Sequence, residues 1–528
     1  MTETSTATAQ AWETVMGLPA QTLNDLFAAD SGRVDTMTRR LEWPTGPDDE
    51  TTGMRIDFSK THLDAAALDA FEALASASGF TEAREALFGG GIINVTEGRA
   101  ANHGAMRGSG TDADTEEAAA LLARMGMLVD AIHQGVLGEI KHLIHIGIGG
   151  SALGPALAVD ALTRDLAKVD VHVVSNIDGL ALEQAFAACD PATTLIAVAS
   201  KTFTTIETMT NAKSALAWLE REGIEDPSGR VVALTASPDK AVDWGVDETR
   251  ILPFPESVGG RYSLWSSIGF PVAMAIGMEE FREFLGGAQA IDTHFRTTQG
   301  RDNAPLLAAF VDQYYARVRG CQTRAVFAYD ERLALFPDYL QQLEMESNGK
   351  SVRPDGRPVS GPTAPLLWGG EGTIGQHSYH QWLHQSPSMV PAEFILAPGE
   401  TSDSDGVTGL TAHALAQAEV LANGRSLADV QADEPDLPLG IAAQKVHAGG
   451  RPSTILHAPR LNPYRLGSLI ALYEHRTYLA GKLWGLNSFD QWGVERGKTM
   501  AGRLKPALRG ERQASDAITA KLIAAIRS

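Results

Sequence analysis

Residues 142–164 read HLIHIGIGGSALGPALAVDALTR. The stretch opens with a largely apolar run, crosses a loop that holds Gly147, Gly149 and Gly150, and continues with apolar residues at helical spacing. A continuous apolar run is typical of a strand that is buried on both faces, as in a parallel sheet covered by helices. The stretch therefore predicts a strand, a glycine loop and a helix, which together form one unit of an α/β sheet.

The same alternation recurs along most of the 528 residues. Further strands are predicted at residues 169–176, 193–200, 231–236, 323–332, 364–370 and 392–399. Helices are predicted at residues 63–79, 207–222, 337–346 and 411–424. This pattern favours two α/β domains with parallel-sheet cores, preceded and followed by helices. The predicted boundaries give a helical N-terminal segment at 1–110, domains at 111–285 and 286–505, and a C-terminal helical tail at 506–528.

The charge balance excludes several classes of partner. The chain has 44 Lys and Arg against 65 Asp and Glu, for a formal net charge of −21. A nucleic-acid-binding protein needs a basic face to displace counterions, and an anionic membrane surface attracts basic segments. We therefore expect neither nucleic acid nor membrane as a partner. A phosphorylated small molecule stays possible, because a few local donors can hold a phosphate inside an acidic protein.

Cysteine usage and the N-terminus indicate the compartment. The two cysteines, Cys189 and Cys321, lie far apart and in no C-x-x-C pattern, which excludes a disulfide framework and a cysteine-rich zinc site. We expect two buried thiols in a reducing compartment. The first 17 residues lack the basic and apolar regions of a signal peptide, and no apolar stretch is long enough for a membrane span. These features predict a cytoplasmic protein.

The glycine loop at 147–151 is a candidate anion site. Glycines let backbone N–H groups approach an anion, and the start of the following helix adds partial positive charge. Gly147, Gly149 and Ala152 also fit the dinucleotide pattern G-x-G-x-x-A, but that site needs an acidic residue about 20 positions further on. The nearest candidate, Asp178, lies 31 positions after Gly147, which disfavours a dinucleotide. A plain strand-to-helix turn is the alternative for this loop.

A second candidate anion site is the segment SKTFTT at 200–205, again between a predicted strand and a helix. One hydroxyl suffices to cap a helix, so four hydroxyls and a lysine exceed that need and favour a phosphate. An over-supplied helix cap is the alternative. Loops that follow neighbouring parallel strands converge at the carboxyl edge of the sheet, where open α/β sheets bind ligands. A nucleotide P-loop is also excluded. GKS at 349–351 and GKT at 497–499 match the end of that motif, but Glu344 and Trp492 stand at the positions where its first glycine is required.

Four further residues could carry chemistry, each with an ordinary structural alternative. Glu346 ends a predicted helix and could be a surface carboxylate, and Arg261, after two glycines, could form a structural salt bridge. Lys498 alone would be a solvated lysine. His377 could join His380 and His384 in a zinc site on one helical face. No carboxylate partner is evident for those histidines, so we predict no metal site there.

Several segments together resemble the phosphoglucose isomerase family. They occur in that family's order and approximate spacing and read IGIGGSALGP, SKTFTTIET, ESVGGRYSLWSSIG, MESNGKS, GTIGQHSYHQ and GKLWGLNSFDQWGVERGK. GIINVTEGRAANH at 91–103 also looks like the family's N-terminal signature, and the resemblance runs from about residue 40 to 505. The most specific are ESVGGRYSLWSSIG at 256–269, which holds Arg261 and is called the arginine segment below, and the segment that ends at Lys498. Ile206 stands where many members have a glutamine, and this difference does not weaken the resemblance.

The resemblance implies a fold, a reaction and a set of roles. It implies two sugar-isomerase (SIS) domains of the α/β/α sandwich type in a homodimer. The implied reaction is the reversible interconversion of glucose 6-phosphate and fructose 6-phosphate in glycolysis and gluconeogenesis, through ring opening and a cis-enediolate, without cofactor or metal. By resemblance, Glu346 is the base, Arg261 steadies the enediolate, and Lys498 opens the ring with His377 of the neighbouring subunit. The implied substrate-binding residues are Gly150, Ser151, Ser200, Lys201, Thr202, Thr205, Gln342 and Gln491.

Two other functional classes compete with the isomerase. A non-catalytic SIS protein that senses sugar phosphates needs the phosphate loops but not Glu346, Arg261 and Lys498 together, and their joint presence argues against it. A nicotinamide-dependent oxidoreductase would use the glycine loop, and the displaced acidic residue argues against that class. Absence of NAD(P) binding would separate the isomerase from the oxidoreductase.

Overall fold

The computed structural model describes residues 3–41, 53–164, 167–397 and 404–528. The chain divides into two compact units, Met1–Ser488 and Phe489–Ser528. Strands β1–β11 within the described residues are Thr38–Leu41, Met54–Asp57, His142–Ile146, Asp170–Val174, Thr194–Ala199, Val231–Thr235, Ile251–Pro253, Thr323–Tyr329, Leu366–Glu371, Ala392–Leu396 and Ser453–His457.

Helices α1–α22 of the same ranges are Glu3–Met16, Leu23–Ala29, Arg33–Met37, Ala65–Ala77, Phe80–Phe88, Asp112–His133, Leu153–Thr163, Gly179–Ala188, Ile206–Arg221, Pro238–Trp244, Phe270–Ile276, Met278–Thr297, Ala304–Gln313, Phe336–Leu340, Gly372–Gln376, His380–Gln385, Ser404–Asn423, Leu427–Asp433, Leu439–Gln444, Pro463–Trp484, Glu495–Leu508 and Ala517–Arg527. Each of these helices is too short or too polar to span a bilayer. Short 3-10 turns and two π-helical turns, Tyr314–Val318 and Gln341–Glu346, complete the pattern.

The first sheet has the strand order β4-β3-β5-β6-β7, and every pairing in it is parallel. Its central strands β5 and β6 are buried along their whole length, because helices cover them. The apolar core on one face joins Ile144, Ile196 and Ala233 of the strands to Leu182 of α8 and Ala212 of α9. This is the sheet that the continuous apolar runs predict.

The second sheet has the strand order β1-β2-β11-β10-β8-β9. Strands β8 to β11 pair in parallel, whereas β1 and β2 form an antiparallel pair that adds to β11. The fold class predicted from the sequence, α/β with two parallel-sheet cores, is confirmed. The N-terminal segment predicted as helical also supplies two strands of this sheet. Residues 398 and 399 of the predicted strand 392–399 lie outside the described residues.

A long buried helix, α20, lies against α12 and α13. A Cβ on Gly287 of α12 would stand 1.7 Å from the carbonyl oxygen of Tyr464, so only glycine permits this close crossing. Helix α20 also positions the segment after Glu346, because Asn348 Nδ2 donates to the Thr477 carbonyl over 2.8 Å. The helical core therefore holds one wall of the candidate site in place.

Candidate active site

The glycine loop lies at the carboxyl end of β3, where it packs backbone against backbone on another loop. A Cβ on Gly150 would stand 2.1 Å from the carbonyl carbon and oxygen of Gly260 and 2.5 Å from the nitrogen of Arg261. His145 of β3 donates from Nε2 to the Ser151 carbonyl over 2.7 Å and so holds the end of the loop. Burial lowers the pKa of His145 to about 4, so this histidine is neutral at physiological pH.

The second candidate loop, residues 200–205, follows the neighbouring strand β5. Ser200 Oγ lies 3.0 Å from Thr205 Oγ1, and Thr202 Oγ1 lies 2.8 Å from Thr204 Oγ1. Thr205 precedes α9 without capping it through its side chain. Because the hydroxyls pair with one another rather than with the first turn of the helix, the over-supplied cap does not explain them.

Lys201 connects this loop to the arginine segment. Its ammonium group donates to the carbonyl oxygens of Glu256 at 2.6 Å and Val258 at 2.9 Å. Burial, together with the nearby Arg99, lowers the pKa of Lys201 to about 8, and the carboxylates of Glu97 and Glu256 oppose this shift. A phosphate dianion in this position would favour the charged ammonium.

Arg261 is 3% exposed, and its guanidinium contacts several groups of the site. Nε donates to Ser347 Oγ over 2.6 Å, and Nη2 donates to the Ser488 carbonyl over 2.6 Å. Nη1 lies 3.6 Å from Glu346 Oε1. A planar guanidinium with several fixed donors is well suited to stabilise a developing oxyanion beside the carboxylate.

Glu346 ends the π-helical turn Gln341–Glu346, which directly follows α14, so the second half of the helix predicted at 337–346 is π-helical. Gln342 Nε2 donates to Glu346 Oε2 over 2.8 Å, and the Glu346 side chain is 22% exposed. The same Gln342 nitrogen would lie 3.0 Å from a Cβ on Gly149. The structure thus brings together the glycine loop, Arg261, Gln342 and Glu346, and the carboxylate is held rather than free on the surface.

Comparison with known proteins decides the family. The family model described as phosphoglucose isomerase matches residues 57–523. The chain belongs to the phosphoglucose isomerase family. The glucose-6-phosphate isomerase of Erythrobacter litoralis is 60% identical over 503 residues, which cover 94% of this chain and 95% of that protein. The one from Zymomonas mobilis is 52% identical and covers 93% of both chains.

A solved structure agrees with this family. The crystal structure of a glucose-6-phosphate isomerase from Chlamydia trachomatis matches with a TM-score of 0.85 at 28% identity and covers 100% of this chain and 99% of that chain. The resemblance recognised from the motifs is therefore confirmed. Asp178, the candidate ribose ligand of the dinucleotide alternative, instead accepts from the Leu180 amide at the start of α8.

The structure separates the three histidines of the zinc alternative. His377 is exposed at the end of α15, and its backbone amide donates to the Ile374 carbonyl over 3.0 Å. His380 and His384 are buried and both bond Gln417 Oε1, at 3.2 and 2.7 Å. Their nitrogens do not gather with His377 into a set of possible metal ligands.

Gln491 and Lys498 belong to the second compact unit, Phe489–Ser528. Gln491 precedes a 3-10 turn at Trp492–Val494. Lys498 lies in α21, where its ammonium group is 3.3 Å from Glu495 Oε1 and its side chain is 63% exposed. The roles that the resemblance implies for these two residues stay predictions.

Three residues that sequence reasoning left out contact the candidate site. Ser347 accepts from Arg261 and also lies 3.0 Å from the Tyr262 hydroxyl. Ser488 offers its carbonyl to Arg261, and Gly260 meets Gly150. Ser347 could have been found from its place beside Glu346 in MESNGKS, whereas no local signal marks the carbonyl of Ser488.

Proposed function

We propose that this chain catalyses the reversible isomerisation of glucose 6-phosphate and fructose 6-phosphate. The observation that carries the proposal is the Glu346 carboxylate, which is held by Gln342 and lies 3.6 Å from the buried Arg261 guanidinium. An aldose–ketose isomerisation needs a base beside a fixed cation, because a proton leaves one carbon while negative charge develops on the neighbouring oxygen. The family of the chain supports the choice of substrate.

The reaction begins with ring opening, for which His377 and Lys498 supply an acid and a base. Glu346 then takes the proton from C2 of the open-chain aldose, and the electron pair forms a cis-enediolate whose oxyanion Arg261 stabilises. A proton then passes from the C2 hydroxyl to O1, and the same carboxyl group protonates C1 to give the ketose. All of these transfers move protons only, so the proposed reaction needs no cofactor and no metal.

The phosphate is the anchor of this proposal. Gly150, Ser151, Ser200, Lys201, Thr202 and Thr205 bind it, while Gln342 and Gln491 line the sugar. The loops that hold the phosphate-binding residues follow the parallel neighbours β3 and β5, at the sheet edge where α/β folds bind ligands. Holding the phosphate positions the reacting carbons over Glu346, which converts binding energy into orientation.

A coupled assay tests the reaction. Fructose 6-phosphate is added with a metal chelator, and glucose 6-phosphate is followed through NADP reduction by its dehydrogenase. We expect prompt turnover. Binding of fructose 6-phosphate without turnover by folded protein would instead support a sugar-phosphate sensor, and neither binding nor turnover would refute the substrate assignment.

We further propose a cytoplasmic homodimer in which His377 reaches the site of the neighbouring subunit. The exposure of His377 within one chain supports this role. Subunit complementation tests it. His377→Ala and Glu346→Gln chains should each be inactive, and their hybrid should hold one site with both changes and one intact site. Random mixing should restore about a quarter of wild-type activity in a two-fold dimer. If His377 acts within its own chain, mixing restores nothing.

A further inference from the structure

A second cluster of reactive side chains lies at the opposite end of the first sheet. His142 is the first residue of β3, His172 is in β4, and Cys189 directly follows α8. One ligand atom of each residue lies within 4.8 Å of the other two. The glycine loop follows the carboxyl end of β3, so this cluster is separate from the candidate active site.

Strand register creates the cluster. In the parallel pairing of β3 with β4, His142 stands opposite Asp170 and Ile144 stands opposite His172. His142 and His172 are therefore diagonal neighbours on one face of the sheet, and their ring centroids are 6.2 Å apart. Helix α8 covers that face, and Cys189 is part of the core it forms there.

Two nitrogens of the cluster lack hydrogen bonds. His142 Nδ1 and His172 Nε2 are buried, and neither has a partner among the described residues. An unsatisfied buried polar atom lowers stability, so native structures usually supply a partner. Imidazole nitrogens and a thiol are the donor types that a transition-metal ion binds, so an ion in this cluster would bind two histidines that each have a buried nitrogen without a partner.

The surroundings favour a cation. Cys189 is a free, buried thiol, and burial raises its pKa to about 11. A bound metal ion would replace the thiol proton, because coordination deprotonates a thiol outright. The carboxylate of Asp170 acts electrostatically on both His172 and Cys189 and adds negative charge next to them. Both histidines are only half-buried, which leaves a path from solvent.

We propose that His142, His172 and Cys189 bind a divalent transition-metal ion, with zinc the best match. Zinc takes imidazole and thiolate ligands in a tetrahedral arrangement, and three protein ligands leave the fourth position to water. The ion would fasten the edge strand β4 to the end of α8. It has no part in the proposed reaction, since the cluster and the candidate site occupy opposite ends of the strands.

Metal binding to the chelator-treated, full-length protein tests the proposal. Cobalt(II) should bind at one equivalent, with the ligand-field bands of a four-coordinate ion and a sulfur-to-cobalt charge-transfer band. Zinc should displace the cobalt and raise the thermal unfolding temperature. Absence of the charge-transfer band, or of saturable binding at one equivalent, would overturn the proposal.

Matched variants locate the site. Cys189→Ala should abolish the charge-transfer band and weaken zinc binding at least about 100-fold, since even outer partners of a metal site contribute about 10–100-fold. Cys321→Ala, which removes the other buried free thiol, should leave band and affinity unchanged. If Cys189→Ala does not fold, His172→Gln replaces it, and this variant should fold and bind zinc more weakly than wild type. Equal zinc affinity in wild type and His172→Gln would refute the site. Isomerase turnover should stay unchanged with and without metal.

Discussion

Replacing Gly150 by alanine tests whether the glycine loop must touch the arginine loop. The added Cβ would stand 2.1 Å from the carbonyl atoms of Gly260, whereas an ordinary contact begins at 3.4 Å. The two backbones would have to separate by about 1.3 Å, and neither offers a flexible side chain that could yield instead. Overpacking of this kind costs about 1–3 kcal/mol of stability. A displacement of about 1 Å in the site lowers the rate about 100-fold.

The assay measures kcat/KM for fructose 6-phosphate together with the thermal unfolding temperature. Gly150→Ala should lose about 100-fold in kcat/KM and unfold at a lower temperature. Gly179→Ala is the matched control, because Gly179 begins α8 after the neighbouring strand β4 and a Cβ there meets nothing within 4 Å. The control should match wild type in both measurements. Wild-type kcat/KM in Gly150→Ala would refute the close packing of the two loops as a requirement for catalysis.

Three more outcomes follow from the site. Because the pKa of Lys201 is about 8, kcat/KM should fall about tenfold per pH unit well above pH 8, and Lys201→Met should remove that decline. A wild-type profile that stays level above pH 8 contradicts the role of the Lys201 ammonium in phosphate binding. Arg261→Lys should lower kcat about 100-fold or more, because lysine cannot keep the contacts to Ser347 and Ser488 together, and a kcat near wild type would argue against oxyanion stabilisation. The pKa of His145 is about 4 in the folded protein and about 6.5 in the unfolded chain, so the folded protein loses on the order of 3 kcal/mol of stability as the pH falls from 6.5 to 4. Denaturant unfolding across that range should show a weaker pH dependence in His145→Gln.

The buried parallel strands could be predicted from the sequence, and several short strands could not. Strands β3, β5 and β8 are long apolar runs, so their pattern leaves little ambiguity. Strands β1 and β2 have four residues each with only alternate residues buried, and β2 pairs with β11, almost 400 residues further along the chain. A four-residue alternation carries too little signal to show a strand, and nothing local points to so distant a partner.

The candidate site divides in the same way. The two loops could be named from local patterns, because glycines and clustered hydroxyls between a strand and a helix indicate an anion site. Glu346 and Arg261 have ordinary structural alternatives on local grounds, and only the family resemblance of their segments names them. The 3.6 Å approach of Arg261 to Glu346 depends on tertiary packing, as does the carbonyl of Ser488. The π-helical turn that ends at Glu346 also has no sequence pattern of its own, and such turns often mark functional sites.

The histidine–cysteine cluster shows a third limit. His142, His172 and Cys189 have no short-range spacing of the kind that identifies metal ligands in a sequence. Parallel register brings the two histidines together, and the length of α8 places the cysteine beside them. Such a site becomes visible only when the strand pairing is known.

Proton transfer by Glu346 is the central claim, and hydrogen exchange with solvent measures it directly. Fructose 6-phosphate is incubated with the enzyme in deuterium oxide, and NMR follows deuterium at C1 of the ketose and C2 of the aldose. The wild-type enzyme should incorporate deuterium at both carbons, because the partly exposed Glu346 carboxyl group can exchange its proton with solvent between transfers. Glu346→Gln should bind fructose 6-phosphate with little loss of affinity and incorporate none. Incorporation by Glu346→Gln at a rate near that of wild type would contradict the assignment of Glu346 as the base.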